Sequence, residues 1–180
     1  GNGLLDVSAR ANLQMRGIRE TAHADLIAGL RDLGLVDEDA QAEARRNVLV
    51  APFWQDGDDT HRIAARLSQA LTAATDLKLP GKFGFAVDCG PTPVLQDIAA
   101  DIRVERASHG LILRADGAAT GLSVTAKDAA DAAVALARWF LATGGAPSGR
   151  GRMKAHVASG TPLPDGHVTA AAHSNCNARP

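Results

Sequence analysis

A chain of 180 residues with a hydrophobic fraction of 46% can bury a core, yet only 3% of it is aromatic and it has no Tyr, so alanine and small aliphatics must do the packing. The formal net charge of −1 argues against nucleic acid or a membrane surface as partner, since both call for a basic patch. No apolar run approaches the ~20 residues of a membrane span, the opening residues do not read as a signal peptide, and Cys89 and Cys176 are too few for a disulfide framework. A cytoplasmic protein is the expectation.

Gly1 to Ser8 reads as a turn feeding a strand, and with no initiating methionine the chain reads as a processed or excised piece of something longer. From Ser8 to Gly17, Arg10, Asn12, Gln14 and Arg16 alternate with Ala9, Ala11, Leu13 and Met15, the period-2 pattern of a strand with one polar face. That face sets two guanidiniums around two amides with no acid among them. At about 3.3 Å per residue it spans roughly 20 Å, the width of a large planar ligand fringed with carboxylates. Arginine suits such a ligand, because its fork binds carboxylate bidentately and keeps its charge when desolvated. The plainer alternative is a half-exposed strand whose polar face meets water.

Leu26, Ile27, Leu30 and Leu33 then predict a helix over Ala22 to Leu33, with Thr21 as N-cap and Gly34 as its stop. The acidic run Asp37 to Glu43 reads as an exposed linker or short helix. A second unit opens at Arg45, with a short buried strand over Val48 to Val50 that Pro52 prevents from continuing. Ile63, Leu67 and Leu71 mark a helix over His61 to Ala74, which Leu79-Pro80-Gly81 breaks. Lys82 to Asp88 alternates again, with Phe83, Phe85 and Val87 on one side. Asp101 to Arg106 and Leu111 to Ala115 form a hairpin, and Leu122 to Val124 a further strand. Lys127 to Ala142 is the clearest helix: Thr125 and Asp128 have capping-box spacing, and Val134, Ala137, Phe140 and Leu141 form its stripe. From Thr143 the periodicity is lost. Apart from a short helix near Arg152 to Val157, the rest reads as a linker or a tail ordered by contact. The expected class is α/β (α+β): a unit over 1–36, a mixed-sheet unit over 45–143 with two covering helices, and a linker or tail over 144–180.

Three of these stretches together resemble one family. Asn2 to Gly17, with its Ser-x-Arg-x-Asn-x-Gln-x-Arg-Gly pattern, resembles the ferredoxin-like half-domain of nitrite and sulfite reductases. Arg46-Asn47-Val48 with Pro52 resembles the start of their sirohaem-binding half, and Leu79-Pro80-Gly81-Lys82-Phe83 resembles their Leu-Pro-x-Lys-Phe segment. Asn-Gly-Leu-x-Asp, Ala-Asn-Leu-Gln and Lys-Phe-Gly-Phe-Ala-Val-Asp are similar to the precorrin-3B synthase branch, the oxygenase of cobalamin biosynthesis. The resemblance covers roughly residues 1 to 142. It implies a partial ferredoxin-like half-domain, lacking a preceding strand and helix, followed by a nitrite/sulfite reductase-type α/β domain. It also implies a polycarboxylate tetrapyrrole as ligand and Arg10, Asn12, Gln14, Arg16, Arg46, Asn47 and Lys82 as residues that hold it.

Two departures matter. Assimilatory reductases place a second lysine two residues after the first, where this chain has Gly84. One cation fewer, with space from glycine, favours a bulky substrate over sulfite or nitrite. The family also carries a [4Fe–4S] cluster on four cysteines, with sirohaem or haem beside it, and four thiolates are a chemical requirement of that ligation. Two cysteines 87 positions apart do not meet it, so no cofactor is expected within this chain; the parent enzyme's cluster belongs to a missing C-terminal half.

Among single residues, Arg10 and Arg16 are carboxylate clamps by this reading, while Asn12 and Gln14 either join them or bond neighbouring backbone. Arg46 matches the motif, and Arg45 beside it balances the acidic linker. Asn47 is either a ligand or a turn cap. Cys89 reads as a small buried or turn residue, the six histidines show no metal spacing, and the glycines at 144, 145, 149 and 151 do not form a phosphate loop. No catalytic residue or metal ligand is assigned. Two readings follow: the tetrapyrrole-binding part of a precorrin-3B synthase-like oxidoreductase or a sirohaem nitrite/sulfite reductase, or a non-catalytic module that holds a tetrapyrrole or a partner protein.

Overall fold

The computed structural model describes residues 3–8, 12–36 and 45–170. Arg10, the acidic run and Cys176 lie outside the described residues. Near the start, β1 (Leu5–Val7) and β2 (Leu13–Met15) pair antiparallel, with Asp6 opposite Gln14. The Ser8 N–H donates to the Asn12 carbonyl (2.9 Å) and the Asn12 N–H to Ser8 Oγ (3.1 Å), so Asn12 closes the hairpin turn and the strand is shorter than the sequence pattern. Helix α1 (Glu20–Asp32) starts after Arg19, two residues ahead of the expected Thr21 cap. It stops where expected: Gly34 sits at φ +67° and donates to the Arg31 carbonyl, and the Leu35 N–H returns to Leu30. None of these three elements contains a buried residue.

The rest of the chain builds a mixed six-stranded sheet in the order β3 (Val48–Val50), β4 (Phe85–Asp88), β5 (Ile102–Ala107), β6 (Gly110–Ala115), β7 (Thr120–Val124) and β8 (Thr169–Ala170). The first three strands run parallel and the others pair antiparallel. Helix α2 (Thr60–Ala73) links β3 to β4, and α3 (Ala129–Ala142) follows β7. Ile63, Leu67 and Leu71 recur at helical spacing and all bury on the sheet. Just ahead of α3 the Asp128 N–H donates to Thr125 Oγ1 (3.3 Å), whose hydroxyl donates to Asp128 Oδ2 (2.6 Å). The helix itself starts after Asp128, which makes no side-chain cap bond, so the pair shapes the turn before the helix and the capping box implied by the spacing does not form. Val134, Ala137 and Phe140 are buried as expected; Leu136 completes the stripe, and Leu141 is half-buried.

β4 is buried along its whole length, as a central parallel strand must be. It begins at Phe85, later than the alternation from Lys82 implied, because the Phe83 N–H is drawn into a turn with the Pro80 carbonyl (2.8 Å). The β5–β6 pair has two unlike faces. Ile102, Val104, Leu111 and Leu113 enter the core, while Arg114 clamps Glu105 bidentately (2.9 Å each) and Arg103 bonds Asp116 (3.1 Å). With so few aromatics, three phenylalanines anchor the core: Phe83 lies 5.7 Å from Phe85 and 4.9 Å from Phe140, ring centre to ring centre. Residues 144–170 are ordered by contact, the second of the two alternatives. Met153, at the start of α4 (Met153–Ala158), is fully buried, and β8 pairs with β7. Among the described residues no helix is long and apolar enough to cross a membrane.

Candidate functional site

The parallel strands β3, β4 and β5 begin at one edge of the sheet, and the residues just ahead of them are tied together. Asn47 precedes β3; its Nδ2 donates to the Phe83 carbonyl (3.1 Å), and its own carbonyl accepts the Phe85 N–H (2.8 Å). A Cβ on Gly84 would stand 2.9 Å from Asn47 Nδ2. The space at Gly84 is therefore filled by the Asn47 amide, which corrects the expectation that glycine opens room for substrate there.

Asp101, just ahead of β5, is the hub of this edge. Its buried carboxylate accepts the Gly84 N–H (3.0 Å), the Met153 N–H (2.8 Å) and Arg152 Nε (2.9 and 3.1 Å to its two oxygens). These bonds pin the 149–152 loop beside the residues that lead into β4. The loop is held tightly from behind as well: a Cβ on Gly151 would fall 1.9 Å from the Gly145 carbonyl oxygen, so only glycine fits.

Between the two segments lies a cavity of about 550 Å³, lined by Pro80, Gly81, Lys82 and residues 149–152. Lys82, Arg150 and Arg152 bring three cations to its lining, which among the described residues contains no acid. Lys82 and Arg150 make no ion pair with a described residue. Arg152 has its counter-charge in Asp101, whereas like charges such as Lys82 and Arg150, gathered without one, repel unless water or an anion sits between them. The arrangement suits an anion: a compact ammonium from one segment and a guanidinium fork from the other line the same cavity, with Arg152 positioned by a buried carboxylate.

The residues expected from sequence distribute unevenly around this cavity. Lys82 lines it. Asn47 braces the edge, and its Oδ1 is buried with no donor among the described residues. Arg46 is half-buried next to Asn47 and does not line the cavity. Arg45 is buried and donates through Nε to the Leu71 carbonyl (3.3 Å), which braces α2; the acidic run it was expected to balance lies outside the described residues. The described hairpin residues are not part of the lining, and Arg10 lies outside the described residues. Asn12 serves the turn, and Arg16 Nε pairs with Asp6 Oδ2 (2.5 Å) while its Nη2 reaches Gln14 Oε1 (3.3 Å), all of them exposed. The acid missing from the polar comb is thus supplied across the hairpin by Asp6. Arg150, Arg152 and Asp101 escape a sequence reading; the alternation Gly149-Arg150-Gly151-Arg152 within an aperiodic stretch was the one signal for the first two.

Cys89 is fully buried, its N–H on Thr60 Oγ1 (3.3 Å) and its Sγ 3.8 Å from the Val104 carbonyl. Burial pushes its thiol up to about 12, against the pull of Arg106. A thiol so held is a poor metal ligand, and with two cysteines in the chain the donor set does not fit a [4Fe–4S] cluster. Among the described residues no cluster of His, Cys, Asp and Glu is arranged to hold a metal ion. No protein-family model, curated protein or solved structure matches this chain.

Proposed function

We propose that this chain binds the carboxylate-bearing edge of a tetrapyrrole in the cytoplasm. In this reading it is the N-terminal part of a precorrin-3B synthase-like oxidoreductase of cobalamin biosynthesis, and the cluster-binding half lies elsewhere. The sheet unit is then the nitrite/sulfite reductase-type domain, and the β1–β2–α1 unit a partial ferredoxin-like half-domain. The observation that supports the reading is the cavity lined by Lys82, Arg150 and Arg152 with no acid among the described residues of its lining, because Lys82 is both a motif residue and the one that meets the two arginines.

The chemistry of the chain's own residues is binding and orientation. Lys82 and Arg150 neutralise carboxylates at the cavity, and Arg152 holds the loop that presents Arg150. The macrocycle extends beyond the cavity mouth toward further contacts, for which Arg46 stands nearest in sequence to the braced edge. A small oxyanion is the weaker fit, since the place of a second lysine is taken by Gly84 and filled by the neutral Asn47 amide. Uroporphyrin, with its ring of carboxylates, is a suitable probe. It should bind in a titration followed by its absorption band, with affinity falling as salt rises, and millimolar sulfite should not displace it. Displacement by sulfite, or no binding of uroporphyrin or a precorrin analogue, would overturn the reading.

A further inference from the structure

We propose that a pocket at the opposite, carboxyl end of β3 and β4 is a second binding site, specific for a planar organic cation of the guanidinium class. It is independent of the Lys82 cavity. β4 is preceded by the basic cavity and ends at Asp88, which lines a smaller pocket of about 230 Å³ together with Phe53, Trp54 and Thr60. In open α/β sheets this end of the parallel strands, where successive connections diverge, is the usual place for a ligand.

Three observations converge on the ligand's chemistry. Asp88 is 2% exposed; its Oδ2 accepts the Val94 and Leu95 N–H groups (2.7 and 2.8 Å), while its Oδ1 is buried with no donor among the described residues. A buried carboxylate oxygen without a donor is costly, so the site calls for an incoming N–H. Among the described residues Asp88 is the one charged residue of the lining. Arg106, the cation placed to interfere, is committed through Nε and Nη2 to the Cys89 carbonyl (2.9 and 2.7 Å).

The third observation is where the aromatics stand. Of four Phe and two Trp, three Phe are buried in the core, while the neighbours Phe53 and Trp54 are 75% and 44% exposed and both line this pocket. Trp54 is steadied by the His61 ring, 4.9 Å away. A steadied indole face that lines the same pocket as a carboxylate with one unfilled oxygen fits a flat, weakly hydrated cation, which stacks on the ring and donates N–H to that oxygen. A compact ammonium meets the charge but leaves the stacking unused.

The guanidinium has two possible sources, a free small molecule or an arginine side chain on another chain. Calorimetry on the full chain with phenylguanidinium and with the blocked peptide Gly-Arg-Gly separates them, and the tighter binder names the source. Saturable one-site binding of at least one is expected, with quenching of Trp54 emission and butylammonium about tenfold weaker or more. Asp88→Asn keeps the oxygen that accepts Val94 and Leu95 but turns a donor toward the ligand, so binding should fall by about tenfold or more with the urea midpoint held. Trp54→Leu, at the exposed rim, should weaken phenylguanidinium and leave butylammonium unchanged. The proposal is overturned if neither guanidinium probe binds saturably at millimolar concentration, if butylammonium binds equally well, or if both variants bind as the wild type does.

Discussion

The β1–β2–α1 unit and the six-stranded sheet unit obey the same periodicity rules and reach opposite outcomes. Leu5, Val7, Leu13 and Met15 alternate as cleanly as Ile102, Val104, Leu111 and Leu113, yet the first set is exposed and the second buried. Periodicity states that a face is fit for burial; it does not state that its cover lies nearby in the chain. The sheet supplies its own cover through α2 and α3, whereas α1 has no buried residue at all. The charged groups divide in the same way. Arg16 and Asp6 form an exposed pair of the kind worth about 0–1 kcal/mol, while in the Arg152–Asp101 pair the carboxylate is buried, the guanidinium is half-exposed and a cavity wall depends on the bond.

This contrast predicts very different sensitivities. Asp101→Ala should be the most damaging change, about 3–5 kcal/mol in urea unfolding, because Arg152 and two backbone N–H groups lose their acceptor. Leu67→Ala should cost about 2–5 kcal/mol, and Leu13→Ala, its exposed counterpart in β2, no more than about 0.5 kcal/mol. Equal losses from the two leucine variants would mean that the hairpin is covered in solution. Gly151→Ala should cost about 1–3 kcal/mol, since its Cβ meets a backbone oxygen that cannot turn aside. It should also weaken uroporphyrin binding by displacing Arg150.

Much of the sheet unit was legible because its signals are local. The i, i+4, i+8 spacing of α2 and the Gly34 stop each depend on residues within about two turns. The edge that builds the cavity was not, because it joins residues far apart: Asp101 meets Arg152 51 positions away, and Asn47 meets Phe83 36 positions away. Lys82 was found through its motif, and Arg150 lay in a stretch without periodicity. The Arg16–Asp6 pair was nearer to hand, since a hairpin register opposing Asp6 to Gln14 puts Arg16 within reach on the diagonal.

The smallest expected effect concerns acid. Asp76 sits below the ordinary carboxylate range because Arg138 donates to it from α3. For Asp58, burial pushes upward, but the Gln55 and Thr60 N–H groups pull further down and the net shift is downward. Carboxyls depressed in the folded state add stability that is present above their unfolded value and lost as pH falls through the folded one. Unfolding free energy should therefore decline on acidification below about pH 4. In urea titrations the Asp58→Asn/Asp76→Asn double variant should show a shallower decline; an unchanged slope would remove these two groups from the account.

The central claim is that the sheet edge, not the exposed hairpin, holds the anionic ligand. Uroporphyrin titration of three proteins tests it directly: the wild type, Lys82→Gln/Arg150→Gln, and Arg10→Gln/Arg16→Gln. Loss of a charge-assisted contact amounts to about tenfold per cation, so the Lys82/Arg150 variant should bind about a hundredfold more weakly, with a smaller change from the hairpin pair. A hairpin variant that loses binding while the Lys82/Arg150 variant keeps it would contradict the account.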